Sequence, residues 1–233
     1  MNKYSRKLTA LRTAIITCQL CPRLVEHRQL IGLNKSSRFK DWDYWAKPIP
    51  GFGHPDASLM IVGLAPAAHG ANRTGRVFTG DSSARFLMSV LFESGFASQS
   101  GSENINDGLK LYRAYMSTAI RCVPPADRPL AKEQQNCRPY LISEIKNLPE
   151  LRFVVALGHI AFNACIKAFG ELSNAIIKAK FIHGETLSFG NSLPLLTASY
   201  HPSPRNTNTG KLTRSQLLSV FTKIKTSLSR EVS

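Results

Sequence analysis

The chain has 233 residues, 43% of them hydrophobic, and its 30 Lys and Arg against 15 Asp and Glu give a net charge of +15. This length suits one α/β domain with a sizeable core, so we treat residues 1–233 as a single domain. A run of the roughly 18 apolar residues that a membrane-spanning helix needs is absent. The basic start of the chain lacks the apolar segment of a signal peptide, so we expect a cytoplasmic protein without membrane contact.

The basic residues are concentrated at the two ends of the chain. Residues 1–40 hold nine basic residues and one acidic residue, and residues 201–233 hold six and one. Residues 41–110 hold five basic and seven acidic residues. Basic ends on a folded core favour a polyanionic partner, most simply nucleic acid, over a basic but inert surface.

The first third of the chain predicts a helix and an aromatic loop. Residues 5–17 have the apolar spacing of a short amphipathic helix, and a cysteine pair and a polar, basic segment follow it. Two Trp and three Pro in DWDYWAKPIPGFGHP, at 41–55, predict an ordered loop that is packed by its aromatic rings. Residues 97–110 are polar and rich in Gly, Ser and Asn, which predicts a surface loop.

From residue 57 onward, apolar runs alternate with helical patterns. We predict strands at 57–63, 115–121, 152–157 and 195–200, helices at 82–94, 131–147, 159–169 and 211–228, and a β excursion within 178–193. The third of these strands is continuously apolar, as a central parallel strand is. The alternation is typical of a three-layer α/β/α sandwich with a central four-stranded parallel sheet.

The segment 63–81, GLAPAAHGANRTGRVFTGD, follows the first predicted strand and is the candidate binding loop. Its glycines allow a ligand to approach the backbone, its amides suit an anion, and Arg73 and Arg76 suit phosphate. Phe78 either stacks on a flat substrate or anchors the loop. Asp81 is the only carboxylate of the segment. It is either a catalytic group or the N-cap of the following helix.

A second loop, HPSPRNTNTG at 201–210, follows the last predicted strand. Because parallel strands all point one way, this loop lies at the same sheet edge as the first. The position favours a functional over a purely structural role for His201. Ser203, Arg205 and Asn206 offer contacts to phosphate in the same loop.

Five cysteines without a secretion signal favour reduced thiols over disulfides. Two distant pairs, Cys18 with Cys21 and Cys122 with Cys137, fit the four ligands of an iron–sulfur cluster or of a structural zinc. Residue chemistry does not separate these two sites, and incidental buried cysteines are a third reading. Cys165 lies in an apolar helical pattern and is expected in the core.

Together these stretches resemble the uracil-DNA glycosylase superfamily, and most closely its family 5, the type-B enzymes. The matching stretches, in order between residues 18 and 213, are DWDYWAKPIPGFG, GLAPAAHGANRTGRVFTGD, RCVPPADRP, NCRPYL and HPSPRNTNTG. The resemblance implies a four-stranded parallel sheet between helices. It also implies a [4Fe–4S] cluster, whose ligands by position would be Cys18, Cys21, Cys122 and Cys137.

The activity that this resemblance implies is hydrolysis of the N-glycosidic bond of uracil, or another deaminated base, flipped out of DNA at the start of base excision repair. The first motif, GLAPA, has no carboxylate. Asp81 would take the role that an acidic side chain in this motif has in related families, and would stabilise the oxocarbenium-like sugar. His201 would donate a hydrogen bond to the departing base. Phe78 would stack on that base beside Ala65 and Thr118, and the backbone amides of 66–75 would supply further donors.

Three positions depart from the family pattern. Thr118 stands where family 5 usually has Ala and where the related family 4 has an Asn that reads uracil. This loss of an amide fits a broader range that includes hypoxanthine and xanthine. Asp127 stands where Asn is usual, and its charge would either weaken DNA contact or alter the placement of water. Arg205 stands where Gln is usual, which adds a contact to phosphate or a wedge into the duplex.

Two other classes of function were weighed against a monomeric glycosylase that acts on DNA. A non-catalytic iron–sulfur protein that binds nucleic acid would need neither Asp81 nor His201. A metal-dependent nuclease would need clustered carboxylates at the strand ends, where we find only Asp81 and Asp127. The sequence therefore favours the glycosylase.

Overall fold

A computed structural model describes residues 3–190 and 192–230. Its helices are α1 Lys3–Ile16, α2 Pro22–Leu33, α3 Ala71–Thr74, α4 Ser82–Glu93, α5 Ala131–Lys146, α6 His159–Ser173, α7 Pro204–Asn208 and α8 Arg214–Arg230. Its strands are β1 Phe52–Gly53, β2 Leu59–Gly63, β3 Ala114–Thr118, β4 Phe153–Leu157, β5 Thr186–Leu187 and β6 Leu195–Ser199. None of the described helices has the length and apolar character that crossing a bilayer requires.

The sheet has the strand order β1-β3-β2-β4-β6-β5. Its four central strands are parallel, which confirms the predicted four-stranded core. Two antiparallel strands of two residues each, β1 and β5, extend this core at its edges. β5 lies inside the predicted β excursion. β1 was not predicted, because two residues carry no periodic signal.

Alternate residues of the strands face opposite layers of helices. In β2, Leu59 and Ile61 belong to the core that α4 and α8 cover. Met60 and Val62 belong to the core that α5 and α6 cover, against which Leu8 of α1 also packs. Burial on both faces explains why the strands are continuously apolar. The predicted three-layer sandwich is confirmed.

Helix α2 was not predicted, because its apolar residues are not gathered on one helical face. It begins at Pro22, a residue that suits the first turn of a helix. Its buried side chains are Leu24 and Arg28. Arg28 donates from Nε to the carbonyl of Ala46 at 3.1 Å and from Nη1 to Sγ of Cys122 at 3.3 Å. A buried guanidinium with specific acceptors therefore holds this helix, and such an anchor has no signature in hydrophobic periodicity.

A buried ion pair joins the end of β3 to α5. Arg121 donates from Nη2 to Oε2 of Glu144 at 2.6 Å, and neither side chain is more than 1% exposed. The hydroxyls of Tyr115 and Ser117 donate to the same carboxylate, at 3.2 and 2.5 Å. Burial, followed by the negative charge of Glu144, raises the pKa of Tyr115 well above its ordinary value. The network fixes the strand end that leads to Cys122 against the helix that carries Cys137.

We predict that Glu144→Gln lowers the free energy of unfolding by about 3–5 kcal/mol, because it leaves the charge of Arg121 buried without a counter-charge. Glu171→Gln is the matched control. It breaks the pair between Arg138 of α5 and Glu171 of α6, in which Glu171 is 50% exposed, and should cost less than about 1 kcal/mol. Urea unfolding of both variants measures the two values, and equal losses would contradict the buried-pair argument.

Candidate active site

A cavity of about 430 Å³ opens at the carboxyl edge of the parallel sheet. The chain passes from β2 to β3 on one side and then crosses to β4 on the other side. Such a reversal leaves a crevice between the strand ends, where ligands bind in open α/β sheets. The loops that follow β2, β3, β4 and β6 all contribute to the wall. The cavity is within the size range of small-molecule sites.

The wall combines apolar side chains with a few polar groups, as ligand sites do. Leu64, Pro66, Leu157 and Ile160 are among the apolar lining residues. All five residues predicted to be catalytic or to contact the base line this cavity, although they are up to 136 positions apart in the chain: Ala65, Phe78, Asp81, Thr118 and His201.

Asp81 is both the N-cap of α4 and part of the cavity wall. Its Oδ1 accepts a hydrogen bond from the amide of Ala84 at 2.9 Å. Its Oδ2 lies against the backbone of Gly70, where a Cβ would be only 2.1 Å from that oxygen. Burial raises the pKa of Asp81, and the amides of Ala84 and Ser83 oppose this rise. The capping and functional readings of Asp81 are therefore compatible.

His201 follows β6 and lies against the loop that follows β4. A Cβ at Gly158 would be only 3.3 Å from the Cβ of His201, so a side chain there would crowd the histidine. Gly158 also has a φ of +93°, a backbone conformation that favours glycine. Asn206 braces the His201 loop by donating from Nδ2 to the His201 carbonyl at 2.8 Å. Burial lowers the pKa of His201 to about 4, although Asp127 opposes the shift. The imidazole is therefore neutral at pH 7 and carries one N–H donor.

Asp127 also lines the cavity, and its negative charge acts on His201. It is in a turn in which two successive non-glycine residues, Ala126 and Asp127, have positive φ values of +50° and +55°. Such conformations are strained and tend to persist at functional sites. The structure thus brings the unusual aspartate into the site, which the sequence alone left open.

Phe78 also has a positive φ, +48°, and its ring lies over Gly63. A Cβ at Gly63 would be 2.7 Å from the ring, so only glycine fits beneath it. Thr118 is 2% exposed and donates its hydroxyl to the carbonyl of Ile120 at 2.8 Å. Its hydroxyl proton is therefore committed within the chain, and the oxygen faces a ligand only as an acceptor.

The predicted DNA contacts of Arg73 and Arg76 require correction, because both side chains are only 3% exposed. Arg76 donates from Nη2 to Asp107 at 2.6 Å and from Nε to Thr79 at 2.9 Å. Burial alone would raise the pKa of Asp107, but the hydrogen bond from Arg76 and two amide donors lower it to about 2. This ion pair also fixes the segment 97–110, which was predicted to be a surface loop, against the first loop.

The predicted amide donors of residues 66–75 require correction at Gly70 and at residues 72–74. The segment 71–74 forms α3, and the amides of Gly70 and Asn72 donate to the carbonyl of Ala67 at 3.2 and 3.1 Å. The amides of Arg73 and Thr74 donate to the carbonyl of Gly70. These N–H groups close a short helix and are not offered to a ligand.

The polar residues of the second loop differ in whether they face the cavity, the solvent or the loop itself. Ser203 lines the cavity, and Arg205 is exposed on α7, so both are placed for contact with a ligand or its phosphates. Asn206 instead uses its amide within the loop, as described above. The sequence missed this bracing role and that of Gly158. A glycine directly after a buried strand is a signal that would have flagged the latter.

The four paired cysteines approach one another around α2 and α5. Leu24, Ile120, Cys122 and Cys137 share one apolar cluster, against which Cys21 packs. Burial raises the pKa of Cys137 to about 11, and the neighbouring thiols of Cys21 and Cys18 add to the rise. Asn136 donates to Sγ of Cys21 at 3.4 Å. Cys165 is fully buried in the core, as predicted.

Within residues 3–190 and 192–230, no three His, Cys, Asp or Glu side chains are grouped as a single bound metal ion would require. The five cysteines of the chain are free thiols and form no disulfide in the structure.

Comparisons with known proteins place this geometry in a family. Residues 50–225 match the model of the Uracil DNA glycosylase superfamily. The chain is 43% identical over 211 residues to the Type-5 uracil-DNA glycosylase of Thermus thermophilus, which covers 91% of this chain and 94% of that protein. It is 42% identical over 207 residues to the Type-5 uracil-DNA glycosylase of Pyrobaculum aerophilum, at coverages of 89% and 87%. The Type-4 uracil-DNA glycosylase of Sulfurisphaera tokodaii matches at 27% over 142 residues.

We predict that His201 titrates near pH 4 in the folded protein, well below its ordinary value of 6.5. Between these values the unfolded chain binds a proton that the folded chain does not, so His201 makes the protein less stable as the pH falls from about 6.5 to about 4. NMR titration of the imidazole, assigned with His201→Gln, measures the pKa. The same chain unfolded in urea is the control, and a folded pKa near 6.5 would contradict the burial argument.

Proposed function

The chain belongs to the uracil-DNA glycosylase superfamily, and we propose that it hydrolyses the N-glycosidic bond of uracil in DNA. The observation that carries this proposal is the meeting of Asp81, Phe78 and His201 in one cavity at the carboxyl edge of the sheet. Type-5 uracil-DNA glycosylases cover most of the chain at 42–43% identity, which supports the same activity.

The two polar groups suit the two charges that develop as the bond breaks. The sugar becomes cationic, and the carboxylate of Asp81 stabilises this cation and orients the attacking water. The base leaves with negative charge, and His201 donates a hydrogen bond to it. Because His201 is neutral at pH 7, it donates without placing a second positive charge beside the sugar. Phe78 offers its ring as a surface on which the flipped base stacks.

The glycosylase also acts on other deaminated bases in this proposal, hypoxanthine and xanthine among them. The hydroxyl of Thr118 donates to Ile120 and offers no donor to the base. A wall without an amide reader discriminates weakly between bases, because specificity of this kind depends on hydrogen-bonding groups that a wrong ligand leaves unpaired. The proposed breadth of substrates therefore follows from the lack of a side-chain amide that would hydrogen-bond to one particular base.

DNA binds along the rim of the cavity, and a single chain supplies the whole site. Arg205 is exposed and directly follows Ser203 and Pro204, which line the cavity, and the net charge of +15 attracts the phosphate backbone. The enzyme acts as a monomer in this proposal, since the residues assigned to the site require no second copy of the chain.

A [4Fe–4S] cluster held by Cys18, Cys21, Cys122 and Cys137 completes the proposal. The donor set fits, since four thiols approach one another and N–H groups of Arg28 and Asn136 point at two of the sulfurs. Such donors commonly accompany clusters. When bound, the group would supply a structural cross-link rather than a step of the hydrolysis.

The proposed activity is tested by single-turnover release of base from DNA duplexes that contain uracil, hypoxanthine or xanthine. We predict that Asp81→Asn reduces the rate by about 10²-fold or more. Asn is as good an N-cap as Asp, so this variant retains the cap of α4 and removes only the ionised carboxylate. Its melting temperature and DNA affinity should match the parent. Parental rates in the variant would reduce Asp81 to a cap, and no release from any duplex would favour the non-catalytic nucleic-acid-binding protein.

The proposed cluster is tested on protein purified without oxygen. We predict a brown protein that absorbs near 400 nm (an approximate value for such clusters) and holds about four irons per chain. Cys137→Ala should abolish the colour and the bound iron, whereas Cys165→Ala, at a buried cysteine of the core, should keep both. A colourless protein with one bound zinc per chain would overturn the cluster.

A further inference from the structure

Arg73 is held between two aromatic rings. Its guanidinium lies 3.9 Å from the ring centroid of Phe39 and 4.0 Å from that of Trp42. Both rings belong to residues 37–45, which we call the aromatic arm. The backbone of the arm is also bound to α3, because the amide of Trp45 donates to the carbonyl of Arg73 at 3.0 Å. A stacked guanidinium gains cation–π stabilisation that is strongest when the pair is shielded from water.

The donors of Arg73 bridge the two backbone turns that frame Asp81. Nε donates to the carbonyl of His69 at 2.7 Å, and Nη2 donates to the carbonyl of Gly80 at 3.0 Å. These carbonyls directly precede Gly70 and Asp81. As described above, Oδ2 of Asp81 lies against Gly70, so one side chain fixes both sides of this contact.

The position requires an arginine of this shape. The planar guanidinium presents several donors in a rigid fork, whereas a lysine offers one point of charge. Gly80, with a φ of +81°, is part of the fit, because a Cβ there would be 2.4 Å from Nη2. Nη1 is buried and has no hydrogen-bond partner among the described residues. Two carbonyls and two rings therefore hold the guanidinium of Arg73, and one of its buried N–H groups is left without an acceptor among the described residues.

The charge of Arg73 is also felt by Asp81. Burial lowers the pKa of Arg73, and the carboxylate of Asp81 is among the charges that oppose this shift. The other charged neighbours of Asp81 include Arg85, and those of Arg73 include Glu103 and Arg38. Arg73 thus favours the ionised form of Asp81 from inside the loop.

We propose that Arg73, clamped by Phe39 and Trp42 and bridging the carbonyls of His69 and Gly80, is the positioning residue that sets the place and the charge of the Asp81 carboxylate. The aromatic arm therefore serves the active site through Arg73 rather than by touching the base. This inference rests on the proposed role of Asp81.

The test is the pH dependence of single-turnover uracil release by Arg73→Met. The rate at pH 7 should fall by about 10²-fold, because small misplacements of a reacting group have effects of this size. The acid limb of the profile, which reports the ionisation of Asp81, should move to higher pH, because the variant lacks a positive charge that favours the ionised carboxylate. DNA affinity should not change, since Arg73 is buried.

Two further variants separate the position of the carboxylate from its charge. Arg73→Lys keeps the charge but does not bridge both carbonyls, so its acid limb should stay near that of the parent while its rate falls. Trp42→Leu removes one ring at a site that is 37% exposed, and should move the profile in the same direction as Arg73→Met but by less. If Arg73→Met does not fold, the pH profile of Trp42→Leu still tests the proposal.

Arg76→Met is the matched control, since Arg76 is equally buried in the same loop but pairs with Asp107. It should lower stability and leave the acid limb in place. An unmoved acid limb in both Arg73→Met and Trp42→Leu, or an equal shift in Arg76→Met, overturns the positioning role. If Asp81→Asn itself retains the parental rate and profile, the proposed function fails instead, so the two failures are distinguishable.

Discussion

The site depends on the contacts that buried arginine side chains make with partners from distant segments of the chain. Among the described residues, Arg28, Arg73, Arg76 and Arg121 are each at most 3% exposed. Each binds a segment that is distant in the chain: α2 to Cys122, the aromatic arm to the first loop, the first loop to Asp107, and β3 to α5. A buried charge is costly unless several partners fix it. Each arginine therefore holds its loop in one arrangement.

These arginines change how the positive charge of the chain relates to DNA. The sequence carries 30 Lys and Arg, but a guanidinium that is enclosed by carbonyls, rings or a carboxylate does not meet phosphate. Arg205 remains exposed and directly follows Ser203 and Pro204, which line the cavity. Arg73 and Arg76, which were expected to contact DNA, are instead buried and stabilise the first loop. The long-range attraction of the whole surface still depends on net charge. The direct contacts depend on which basic side chains remain outside.

Asp81 shows how one carboxylate both caps a helix and lines a cavity. The cap fixes Oδ1 on the amide of Ala84, and the missing side chain of Gly70 admits Oδ2 against the backbone. The same constraint that starts α4 therefore sets the carboxylate in the cavity wall. In the same cavity, burial keeps His201 neutral at pH 7. In the proposed reaction the apolar wall would strengthen the electrostatic effect of both groups, because charges interact more strongly where water is excluded.

The sequence by itself determined the layers, the central strands and the loops that carry Asp81 and His201, because burial on both faces of a parallel sheet leaves continuous apolar runs and parallel strands end at one edge. It also indicated the cysteine pairs, whose ligand role stays a prediction. The tertiary structure alone decided α2, the inward course of Arg73 and Arg76, and the place of Asp127 in the same cavity as His201. These features depend on partners that are distant along the chain. The direction of an arginine side chain is set by the acceptors and rings around it, and no local pattern of residues records them.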